Sequence, residues 1–114
     1  MSKRIVIVDD SSIMRKMICN LFQSTGNQVI GEARSGREAV ELYKSLKPDI
    51  VIMDITMRDM DGFSAAKKIL SLDPQSRIIF LSNLDKEQYS AQAADIGALG
   101  FVNKHNLEEL LEFI

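Results

Sequence analysis

Five short apolar segments recur along this chain at intervals of a little over twenty residues: "IVIV" at 5–8, "VIGEA" at 29–33, "IVIM" at 50–53, "IIFL" at 78–81 and "LGFV" at 99–102. Amphipathic stretches long enough for helices separate them. Hairpin strands need only a tight turn between them, whereas parallel neighbours need a crossover of a dozen residues or more. The spacing therefore predicts β-α units and a parallel sheet.

The segments are not equivalent. Those beginning at Ile5, Ile50 and Ile78 are unbroken apolar runs, as expected of strands covered on both faces. The second and fifth are shorter or interrupted by Gly31 and Gly100, which suits the sheet edges. Edges formed by strands two and five give the order 2-1-3-4-5, a flavodoxin-like (βα)5 doubly wound α/β sandwich.

Helix starts support the division. "SGRE" at 35–38, "DKEQ" at 85–88 and "NLEE" at 106–109 each place a capping side chain three residues before Glu or Gln. The helix after "DDSS" lacks that pattern, but Met14, Met17, Ile18, Leu21 and Phe22 follow helical spacing. In the last helix an α-helical period places Leu107, Leu110, Leu111 and Ile114 on one face, with Phe113 off it.

Length and composition fit one domain over 1–114: 46% of the 114 residues are hydrophobic, 26% are charged, and the charges are dispersed. A net charge of −2 argues against a nucleic-acid-binding surface. No apolar run approaches a membrane span, and the four apolar residues after "KR" are too few for a signal peptide. The single Cys19 forms no internal disulfide and reads as a core or boundary residue in a reducing cytoplasm.

Polar residues close the strands. Asp9 and Asp10 follow the first, Asp54 ends the third, Ser82 the fourth, and Lys104 the fifth. Open parallel α/β sheets bind ligands beyond the carboxyl ends of their strands, where the strand order reverses. Taken singly, each residue has a plainer role: Asp10 as a helix cap, Asp54 closing a turn with Thr56, Ser82 bonded to loop backbone, Lys104 in solvent. Together they converge on one rim.

Two unit charges about 4 Å apart interact by roughly 4 kcal/mol at an effective dielectric near 20, so three carboxylates there call for a cation. Mg²⁺, which takes oxygen ligands and is commonly held by one or two carboxylates plus substrate phosphate, fits the donor set. Zinc does not, because His105 is the only histidine. A carboxylate beside a metal and a lysine suits phosphoryl transfer through an aspartyl-phosphate, with the Ser82 hydroxyl as donor to the product.

Through "VDDSSIMRKMI", "PDIVIMDITMRDMDG", "IIFLSN" and "ADIGALGFVNK" the chain resembles the receiver domains of bacterial two-component response regulators, especially the chemotaxis type. The resemblance implies that Asp54 is the phosphoacceptor and that Asp10, Asp54 and the Thr56 backbone carbonyl ligate Mg²⁺, with Asp9 acting largely through water. It further implies that Lys104 pairs with the acyl phosphate, that Ser82 bonds it, and that Phe101 changes burial when Ser82 moves. Packing on an edge strand is the plainer role of Phe101. The implied donor is a sensor histidine kinase or histidine phosphotransfer protein, and the receiver of the signal is a target protein or fused output domain. Tyr89, the Ala-rich stretch after it and Phe113 would contribute to an output face on helix 4, strand 5 and helix 5, a face that also permits dimerisation. Ile13 and Met14 stand open between core and kinase docking, as the serines of "DDSS" do between capping and docking.

Three positions depart from the family pattern: His105 replaces the proline that usually follows the lysine, Arg58 replaces a proline, and Asn83 replaces a small residue. A cis bond before a non-proline residue costs about 2.5 to 4 kcal/mol, which puts the usual geometry after Lys104 in question. A pseudo-receiver, an interaction module without the chemistry, is the main alternative. A flavin-phosphate protein would find Asp9 and Asp10 repelling its anion. An aspartate-nucleophile phosphatase would carry a second aspartate that "DIT" lacks.

Overall fold

A computed structural model of the chain describes residues 2–57, 59–83 and 86–114, with backbone only at 86–88. Five parallel strands, β1 (Arg4–Val8), β2 (Gln28–Ala33), β3 (Ile50–Asp54), β4 (Ile78–Ser82) and β5 (Gly100–Asn103), form one sheet in the order β2-β1-β3-β4-β5. The helices are α1 (Ser12–Gln23), α2 (Gly36–Leu46), α3 (Gly62–Leu72) and α4 (Lys86–Ile96), followed by a 3₁₀ helix over Lys104–Phe113. Each strand lies within a residue or so of its apolar segment.

Strand periodicity divides the core in two, because successive side chains point to opposite faces. Val6, Val8, Val51, Met53 and Phe80 pack with Ala39, Tyr43, Phe63, Ala66 and Ile69 of α2 and α3. Ile5, Ile7, Ile50, Ile52, Ile79 and Leu81 face the other way, onto Ile18 and Phe22 of α1 and Leu110 of the 3₁₀ helix. Every residue of β3 and β4 is buried, which accounts for their unbroken apolar runs. The edge strand β2 carries a register shift against Ile5 and Val6, so that Val29 and Gly31 are paired and Ile30 is passed over.

Local sequence accounts for the helix starts, with corrections. Ser11, not Asp10, caps α1, its side chain accepting from the Met14 amide at 3.2 Å. Ser35 caps α2 through the Glu38 amide at 3.2 Å, but the Glu38 carboxylate turns to Arg34 at 3.4 Å and does not close a reciprocal box. Asp61 caps α3, accepting from the Ser64 amide at 2.9 Å and its hydroxyl at 3.0 Å. The expected box at 85–88 falls partly outside the described residues. Met17 is 49% exposed and stands off the buried stripe of α1.

The C-terminal element differs most from expectation. It is capped by Asn103, which accepts from the His105 amide at 2.8 Å, while Asn106 sits at a kink. Three residues per turn align positions i and i+3. Leu107, Leu110 and Phe113 therefore face the core, and Leu111 is turned out. The Phe113 ring lies where a β-carbon on Gly100 would stand, so a larger residue there would displace it. Tyr89 is likewise half-buried, with its ring 5.9 Å from that of Phe63. Both aromatics named for the output face are thus partly buried, packed against the core.

Candidate functional site

Strand register assembles the rim. Asp54 stands opposite Leu81, which places Ser82 one residue beyond it, and Ser82 stands opposite Asn103, which places Lys104 one residue beyond that. On the other side β1 pairs with β3 through Val8 and Met53, so Asp9 follows alongside Asp54. Asp9, Asp54 and Ser82 are all buried, whereas Asp10 faces solvent.

The carboxylates of Asp9, Asp10 and Asp54 each present an oxygen, and these atoms lie within 4.8 Å of one another. Lys104 enters the same space, its ammonium 2.8 Å from Asp9 Oδ2 and 3.3 Å from Asp54 Oδ1. Its side chain is only 9% exposed, which removes the reading of a solvated lysine. Asp9 Oδ1 accepts from the Ser11 amide at 2.9 Å. Its Oδ2 is buried and faces the Lys104 ammonium, which compensates it. The Thr56 amide donates to Asp54 Oδ1 at 3.4 Å.

The electrostatics follow from this crowding. Burial, reinforced by the charge of Asp9, pushes the Asp54 carboxyl up to about 6, while Lys104 and the Thr56 amide act in the opposite direction. Burial alone would lower the Lys104 value, but its bond to Asp9 and the charges of Asp54 and Asp9 outweigh that and raise it. One ammonium thus serves two buried carboxylates with a third at the rim. Oxygen donors and an excess of negative charge are what a hard divalent cation would complete.

A further cation holds this corner from behind. Arg15 donates from Nη1 to the Asp9 carbonyl at 2.7 Å and from Nε to Glu32 at 3.1 Å, tying the acidic strand end to α1 and β2. Sequence reading missed it, since nothing in the spacing marks a side chain that reaches a backbone oxygen. The peptide bonds after Lys104 are trans, so His105 is accommodated by the Asn103 cap. Phe101 lies buried on β5 opposite Phe80, and Ile13 is 74% exposed on α1 beside the rim. Arg58 lies outside the described residues.

Residues 5–114 match the family model for the response regulator receiver domain. The chain belongs to that family. It is 47% identical to the chemotaxis protein CheY of Thermotoga maritima over 104 residues, which is 91% of this chain and 87% of the relative. Against CheY of Bacillus subtilis it is 44% identical over 104 residues, with the same coverage of 91% and 87%. Among solved structures, a chain of the CheX–CheY–BeF3–Mg²⁺ complex from Borrelia burgdorferi superimposes with a TM-score of 0.91 at 36% identity, covering 96% of this chain and 84% of that one. The chain is thus a receiver domain of the CheY-like kind, a two-component signalling domain, and its rim carries an acidic group able to hold a metal.

Proposed function

We propose that this receiver accepts a phosphoryl group on Asp54 from a phosphohistidine of a sensor kinase or phosphotransfer protein, in a Mg²⁺-dependent reaction. The observation that carries the reading is the buried Asp54 held between a lysine at 3.3 Å and two further carboxylates at one sheet edge. An Asp54 carboxylate oxygen attacks phosphorus, the P–N bond to the donor imidazole breaks as the P–O bond forms, and the imidazole nitrogen keeps the electron pair. Asp9, Asp10, Asp54 and the Thr56 carbonyl are the residues that would hold Mg²⁺, whose charge would offset that of the phosphoryl oxygens.

Lys104 is placed to turn from the free carboxylates to the phosphoryl oxygens, since its ammonium already lies at Asp54. Ser82, at the end of the adjacent strand, supplies a hydroxyl to the product. The product adds about −1.5 to −2 charges and three acceptor oxygens, enough to draw Ser82 and so to change the burial of Phe101. The switch then alters affinity for a partner or an output domain, with the face of α4, β5 and the 3₁₀ helix as its readout and a route to dimers. Its setting is the cytoplasm; no described helix is long and apolar enough to cross a membrane.

Incubation with Mg²⁺ and a small acyl phosphate should add one phosphoryl group to the wild type and none to Asp54→Asn. A pseudo-receiver would stay unmodified with every donor.

A further inference from the structure

The loop joining Asp54 to α3 is fastened at both its stem and its tip. At the stem the Gly62 amide donates to the Ile55 carbonyl at 2.7 Å, and a β-carbon on Gly62 would run into the backbone of Asp54 and Ile55. Only glycine allows that closure. At the tip Asp59 crosses to another element, its Oδ1 accepting from the Gly36 amide at 3.1 Å and its Oδ2 from the Arg37 amide at 3.2 Å.

Gly36 and Arg37 open α2, where a helix leaves amides unpaired and partial positive charge gathers. Ser35 takes a further amide of that turn, from Glu38. Alongside, a β-carbon on Gly36 would stand 2.9 Å from both the Cβ and the carbonyl oxygen of Met60, so the loop lies flush against the helix start. Desolvation is the largest single influence and works the other way, but the amides of Arg37, Gly36, Met60 and Asp59 together outweigh it and keep the Asp59 carboxyl below its ordinary range.

We infer that Asp59 is a positioning residue for the acceptor loop: clamped on the N-terminus of α2, it fixes the segment that carries Thr56 beside Asp54. The inference rests on the proposed metal site, in which the Thr56 carbonyl is a ligand. A helix cap with no further role would affect stability alone. A positioning residue also sets the affinity of the site for Mg²⁺, because a backbone ligand on a loose loop must be ordered at each binding event.

The test is a calorimetric Mg²⁺ titration of the wild type, Asp59→Ala, Asp59→Asn and Gly36→Ala, with amide hydrogen exchange at Thr56 and Met57 followed in the same samples. Asp59→Ala should weaken Mg²⁺ binding about tenfold, the lower end of the effect of groups that orient metal ligands, and should speed exchange at Thr56. Asp59→Asn, which keeps one acceptor oxygen, should fall between. Gly36→Ala favours the helix by propensity yet pushes Met60, so it too should weaken Mg²⁺ binding, an effect a simple cap does not predict. Wild-type affinity and wild-type exchange in Asp59→Ala, even with a lowered unfolding midpoint, would overturn the inference. Should the wild type fail to bind Mg²⁺, the metal reading falls, and exchange decides the clamp: faster exchange at Thr56 in Asp59→Ala upholds it and unchanged exchange refutes it.

Discussion

The two ends of the same sheet treat polar groups in opposite ways. At the amino end of the strands, charges are matched to backbone: the Arg4 guanidinium donates to the Leu46 and Lys47 carbonyls at 2.7 and 3.0 Å, closing the end of α2. The Arg4 amide donates to Asp49 Oδ2 at 2.7 Å, and the Tyr43 hydroxyl to Asp73 Oδ2 at 2.8 Å. At the carboxyl end, three carboxylates face one another with their oxygens within 4.8 Å. The first rim stabilises the fold, and the second holds a charge imbalance that a ligand can relieve. Natural sequences depart from local consistency at functional sites, and here the clustered carboxylates lie at the carboxyl edge.

Removing the Lys104 ammonium from the imbalanced rim should have the largest effect. Lys104→Met leaves Asp9 and Asp54 without their counter-charge, and breaking a buried pair in this way costs about 3 to 5 kcal/mol. Chemical denaturation in a chelator should show that loss, and saturating Mg²⁺ should recover part of it. An equal loss with and without Mg²⁺ would mean that the rim is not a cation site.

Asp54→Asn should act in the opposite sense, stabilising the metal-free protein by about 1 to 2 kcal/mol at pH 7. The folded value of Asp54, about 6, exceeds its ordinary 3.8, so the folded chain holds this proton more tightly than the unfolded one. Wild type should therefore lose stability relative to Asp54→Asn as pH rises from about 4 to about 6, a difference that denaturant titrations across that window would reveal.

At the amino rim the sign reverses. Tyr43→Phe should cost about 1 kcal/mol by stranding Asp73 and should leave phosphorylation untouched. Burial, with the bond to Asp73 and its charge, pushes the Tyr43 phenol up to about 12. Because that exceeds its unfolded value of about 10, the stabilisation is complete below pH 10 and lost as pH climbs towards 12. Ultraviolet titration of the phenol reads it directly. The smallest effect belongs to Asn83→Ala, which should speed acyl-phosphate reaction at Asp54 only modestly; an unchanged rate would remove Asn83 as an obstacle to access.

What could be read in advance follows physical range. The strands, their order and the acidic rim were legible because a parallel sheet gathers the ends of its apolar runs, so Asp9, Asp54, Ser82 and Lys104 met without further information. The C-terminal helix was misread because ten residues fit a period of 3.6 about as well as one of three, and only packing on Gly100 decides between Leu111 and Phe113. Arg15 and Asp59 were illegible for another reason. Asp59 acts on backbone amides of a distant helix, while Arg15 reaches back to the Asp9 carbonyl and across to the Glu32 carboxylate, and no spacing within either segment records these contacts.

On the proposed function, the charge imbalance around Asp54 suits it to receive a phosphoryl group. Intact-mass measurement after exposure to a small acyl phosphate tests it most directly, with Mg²⁺ in one sample, chelator in another, and Asp54→Asn alongside. A single phosphoryl adduct confined to the wild type with Mg²⁺ is the expected result. No adduct, or one that persists in Asp54→Asn, would contradict it.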